Sequence, residues 1–83
     1  MKNTNLQTDF YMETVPIIID IPKGALLPGD LCHRLEIEDH VELPDQIRLF
    51  GRRETTQSVE EVRAMIEKAV PGIKVTVSDE EAT

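Results

Sequence analysis

Cys32 and His33 stand side by side, and with His40 they are the only cysteine and histidines in the chain. These are the residue types a soft-metal site or a thiol–imidazole nucleophile needs. A structural zinc site takes four ligands, usually in paired Cys/His spacings. One thiol and two imidazoles fall short of that without carboxylates or a second copy. Read as a strand, this segment turns Cys32 and His33 to opposite faces, so they do not converge. The expectation is a buried or half-exposed thiol and two surface imidazoles, with no metal and no cofactor implied.

Two charged stretches follow each other closely. Glu36, Glu38, Asp39, Glu42 and Asp45 form an acidic run uninterrupted by lysine or arginine, and Arg48, Arg52 and Arg53 then surround Phe50. Paired carboxylates do acid–base work only where a pocket perturbs them, which a small exposed hairpin rarely offers. Calcium loops require acidic oxygens at fixed close spacing with a turn glycine, and the run has none. A solvated face is the plain reading of such a run, and a contact surface for a basic protein partner is the functional one. Arg48, Phe50 and Arg52 alternate along a strand and so share one face, a platform suited either to protein contact, where arginine and aromatics are enriched, or to stacking of a single-stranded base. The glycines are isolated, with no phosphate-binding loop and no accompanying lysine signature. Ser58 lies far from either histidine, so no hydrolase constellation is visible.

The totals narrow the field. Eighty-three residues hold one domain, and so short a chain buries a thin core. Phe10, Tyr11 and Phe50 are the only aromatics, leaving aliphatic side chains to supply the burial. The formal charge of −7 repels a phosphate backbone, which places nucleic acid behind a protein partner as the alternative reading. A single cysteine makes no internal disulfide. No apolar run is long enough to span a bilayer, and residues 1–12 carry no apolar signal core. A reducing, cytoplasmic setting is the expectation.

These residues need a scaffold, and the sequence describes one. Residues 1–12 read as a polar leader with one apolar cluster, Phe10-Tyr11-Met12. Residues 13–78 read as one α+β domain, and residues 79–83 as an acidic tail. Val15, Ile17, Ile19 and Ile21 alternate as a strand, with Pro16 pointing to an edge or to the strand's beginning. Pro22-Lys23-Gly24 ends it, and Leu26 and Leu27 fold back toward the core. Leu31, His33, Leu35 and Ile37 alternate as a second strand, with a helical turn capped by Asp30 as the competing reading. Glu38-Asp39-His40 then forms a hairpin tip, Val41 and Leu43 return, and Pro44-Asp45 turns the chain again. Ile47 and Leu49 point inward, and Gly51 marks a bulge or a close backbone approach.

Ser58 and Glu61 form a capping box. Val59, Val62, Met65, Ile66 and Ala69 make a helical apolar stripe behind it. Pro71-Gly72 stops the helix, and Ile73, Val75 and Val77 alternate as a final strand. The expected architecture is a small, mostly antiparallel sheet of four to five strands, in the order β-β-β-β-α-β, with one helix from the C-terminal half on one face. That order permits a β-grasp-like or split βαβ arrangement. The function expected is a non-enzymatic binding module, an adaptor or inhibitor of the kind carried by phages and mobile elements. Its contact residues would be Glu36, Glu38, Asp39, Glu42, Asp45, Arg48, Phe50, Arg52 and Arg53, facing a basic protein surface. An edge strand and a thin core are also compatible with a homodimer.

Overall fold

The structure, a computed structural model, describes residues 13–80. Strand β1 (Thr14–Pro22), helix α1 (Gly29–Arg34), strands β2 (Asp39–Glu42) and β3 (Gln46–Glu54), helix α2 (Val59–Ala69) and strand β4 (Thr76–Asp79) follow in chain order. The strands form one sheet, ordered β2-β3-β1-β4, and every neighbouring pair is antiparallel. This is the α+β class with a helix from the C-terminal half, as expected. Because β3 and β4 both run antiparallel to β1, they run parallel to each other with β1 between them. Helix α2 therefore links two parallel strands around an intervening one, a split βαβ arrangement.

The core follows from strand periodicity meeting helix periodicity. Ile17, Ile19 and Ile21 point to one face of β1 and are buried, as the alternation requires. Their register partners on β3 are Gly51, Leu49 and Ile47. Val62 and Ile66, one helical turn apart on α2, close over this face with Leu31, Leu35 and Val75. Each fully buried aliphatic contributes roughly 1.5–3 kcal/mol relative to exposure. Ser58 caps α2 as predicted: its Oγ accepts from the Glu61 amide at 3.1 Å, while the Glu61 carboxylate accepts from the Ser58 amide at 2.9 Å. Pro16 pairs with Arg52 on one side only, because β4 reaches no further than Ile17; its missing amide donor leaves no gap in the sheet.

Several expectations are corrected. Residues 29–34 are helical, where the alternation predicts a strand. Leu31 and Leu35 are two alternations apart but also one helical turn apart, so both periods bury them; His33, which a strand would turn inward, is exposed. Asp30 does not cap this helix. Pro28 occupies that position, with no side-chain hydrogen bond, and its carbonyl accepts the Leu31 and Cys32 amides.

Glu38-Asp39-His40 is not a hairpin tip. Asp39 and His40 open β2, and the two-residue turn is Pro44-Asp45, closed by the Leu43 amide donating to the Gln46 carbonyl at 2.8 Å. The last strand starts at Thr76, later than Ile73, and runs through Asp79, one residue into the stretch read as tail. Ile73 and Val75 still pack on the core during the approach. Of the two leucines expected to fold back, Leu27 does so and Leu26 is 84% exposed. The Phe10-Tyr11-Met12 cluster and residues 81–83 lie outside the described residues.

Candidate functional site

Helix α1 ends in a way that builds the acidic margin. The Ile37 amide donates back to the Cys32 carbonyl at 3.0 Å and the Glu36 amide to that of His33 at 3.1 Å. This is a Schellman closure, which needs a left-handed residue just past the helix. That residue is Glu36, at φ 52, where glycine is the usual occupant and a side chain costs about 1–2 kcal/mol. The turn swings residues 37–42 up against β3.

The same turn explains Gly51. The Leu35 carbonyl accepts the Arg52 amide at 2.7 Å. A Cβ built on Gly51 would lie 2.7 Å from that carbonyl oxygen and 3.0 Å from Ile37 Cγ1. Pairing runs unbroken past Gly51, so it marks the close backbone approach and not a bulge. The register thus places the C-terminus of α1 directly on β3, and β2 beside it at the sheet margin.

On β3 the expected alternation holds. Arg48, Phe50 and Arg52 point to the face opposite α2, with Asp20, Ile18 and Pro16 as their register partners on β1. Arg48 makes a two-pronged ion pair with Asp20, Nε–Oδ1 2.9 Å and Nη2–Oδ2 3.0 Å. This hydrogen-bonded carboxylate holds the guanidinium pKa above its ordinary value. Arg52 has no carboxylate partner among the described residues: its Nε donates to Thr14 Oγ1 at 2.7 Å and its Nη2 to the Thr14 carbonyl at 3.0 Å.

Arg53 lies on the other face, beside the core. It reaches across β1 to Asp79 on β4, Nε–Oδ1 2.8 Å and Nη2–Oδ2 3.0 Å, and its third nitrogen donates to the carbonyls of Glu54 and Gln57. The hydrogen bond from Arg53 pulls the Asp79 carboxyl below the usual carboxylate range, against a weaker desolvation effect. The pair bridges strands that do not touch, so it is a structural clamp on the split arrangement rather than a surface contact.

The acids behave differently. Every residue of β2 is exposed, and nothing among the described residues pairs with its outer side. Glu36, Glu38, Glu42 and Asp45 make no ion pair or side-chain hydrogen bond among the described residues. Among the described residues Asp39 accepts only its neighbour His40's amide, at 2.8 Å, and its register partner is Phe50. Glu36, Glu38, Asp39, Phe50 and Arg52 line a recess of about 280 Å³ where this margin meets the sheet. The strand rises about 3.3 Å per residue, so charges along it sit within or near one Debye length and act as one patch.

Cys32, His33 and His40 are placed apart in kind: Cys32 on α1 with its Sγ toward the Leu27 carbonyl at 3.9 Å, His33 exposed on the same helix, His40 on β2. No group of three potential metal ligands occurs among the described residues. Two features are missed by sequence reasoning. The commitment of Arg53 to Asp79 has no local signal, since only the register across β1 brings them together. Exposed Leu26 sits in a Pro/Gly-bounded loop, and that boundary is the available clue. No helix among the described residues is long and apolar enough to cross a membrane. No protein-family model, no curated protein and no solved structure matches this chain.

Proposed function

We propose that this chain is a non-enzymatic binding module, an adaptor or inhibitor, whose acidic margin docks on a basic protein surface. The observation that carries this reading is an imbalance within one hairpin. Arg48 and Arg53 on β3 are matched by carboxylates of β1 and β4, and Arg52 is tied down at Thr14, whereas Glu36, Glu38, Glu42 and Asp45 beside them have no ion-pair partner among the described residues. Uncompensated like charge at an exposed edge raises the encounter rate with an oppositely charged partner and sets its register. An open strand edge adds a second element, since an extended segment can pair with it through main-chain hydrogen bonds. The Arg48/Phe50/Arg52 face contributes less to this contact than the sequence alone implies, because the Arg48 charge is already matched by Asp20.

Acidic residues on an edge strand also discourage edge-to-edge aggregation, and one experiment separates the two roles. Tagged protein is used to capture partners from the native cell, identified by mass spectrometry, with two double variants of equal charge. Glu38→Lys with Glu42→Lys alters the β2 margin; Glu60→Lys with Glu67→Lys alters α2. A specific basic protein retained by wild type and by the α2 variant, and lost by the β2 variant, is the expected result. Equal capture by all three contradicts the reading.

A further inference from the structure

Among the described residues, both helices pack on one face of the sheet, and the other face has nothing over it. That second face is apolar at its centre: Ile18 and Phe50 are register partners, flanked by Pro16 and by Val41, which is 45% exposed. We infer that a second copy of this chain covers it, in a two-fold, face-to-face sandwich of sheets with the helices outside.

Charge singles out this occupant. Register puts Arg48 and Arg52 on this face together with Asp20, Asp39 and Glu54, a net charge of −1 in a chain whose total is −7. Two copies that meet here through these register-paired residues face much less repulsion than the total charge implies. The face is also self-complementary. Among the described residues Arg52 pairs with no carboxylate and Asp39 with no cation, and both sit beside Phe50: Asp39 directly opposite it on β2, Arg52 two residues along β3. In a two-fold contact, residue i of one copy meets residue j of the other and the reverse. A two-fold axis near Phe50 therefore pairs Asp39 with Arg52 twice, around an apolar centre packed at the ~10 Å spacing of stacked sheets. This contact adjoins the acidic margin, since Glu38 lines the same recess as Asp39, Phe50 and Arg52, but its test reads self-association and not capture of a partner, so the two readings fail separately.

Sedimentation equilibrium of the full chain tests it, from dilute solution to the concentrations of an NMR sample. Wild type shifts from 9.4 kDa to twice that mass as concentration rises. Asp39→Arg alone stays monomeric, and so does Arg52→Glu alone, because each places like charges together at both contacts. Mixing these two variants restores the dimer, since every contact is then opposite in sign. Far-ultraviolet circular dichroism of each variant confirms that the fold is kept. A wild type that stays monomeric throughout, as when residues 1–12 or nothing at all covers the face, overturns the inference. So does a dimer that survives either single reversal, or two monomeric variants that fail to combine.

Discussion

Strands β2 and β3 belong to one hairpin and carry opposite charges, yet the structure treats them differently. Each guanidinium on β3 is engaged within the fold. Arg48 ties to Asp20, Arg52 to Thr14, and Arg53 clamps β4 across β1. On β2 every residue is exposed, and the nearby carboxylates form no ion pair among the described residues. The difference comes from position in the sheet. β3 has strands on both sides and cross-strand partners on both faces; among the described residues β2 has a neighbour on one side only. Equal charge density in the sequence thus conceals a structural strand and an available one.

Substitutions that damage β3 should cost stability, and those on β2 should cost binding. The largest stability effect is expected from Gly51→Val. Its Cβ would meet the Leu35 carbonyl, and overpacking of this kind costs about 3 kcal/mol, read as a lowered midpoint in urea at unchanged m-value. A smaller effect is expected at the clamp. The Asp79 carboxyl is held below its ordinary value by Arg53, so the stability it supplies is complete above the unfolded value, near 3.9, and disappears as pH falls through the lower folded value. Asp79→Asn removes this dependence. Its thermal midpoint should lie below that of wild type at neutral pH and converge on it in acid below about pH 4.

Glu36→Gly should move the other way. Relieving the left-handed side chain offsets the entropy glycine loses on folding, for a net gain of about 0.5–1 kcal/mol, checked by the same urea series. Smallest of all, Glu38→Lys and Glu42→Lys should each shift stability by no more than about 0.5 kcal/mol, with dye-monitored melting as the check. A β2 substitution as costly as Gly51→Val would erase the distinction between the strands.

Much of this frame is legible in the sequence because it rests on local signals. The capping box at Ser58, the alternation of β1 and β3 and the stop at Pro71-Gly72 each depend on residues within one turn or one strand. The segment 30–37 misleads because Leu31 and Leu35 satisfy two periods at once, and the deciding facts are non-local: Leu35's carbonyl meets Arg52, and Gly51 makes room for it. The candidate site is half legible for the same reason. The acidic run and the shared face of Arg48, Phe50 and Arg52 follow from spacing. Which charges are already matched depends on Asp20, Thr14 and Asp79, whose register with β3 no local pattern encodes.

The most direct test is a two-dimensional NMR titration of the full chain with an extended peptide of alternating lysine and valine. Amide shifts clustered at residues 36–45, saturable, weakened by salt, abolished by the Glu38→Lys/Glu42→Lys pair and retained by the Glu60→Lys/Glu67→Lys pair are the predicted result. Shifts centred on α2, or a response the two variants reduce equally, would show that net charge alone attracts the peptide and that β2 holds no docking margin.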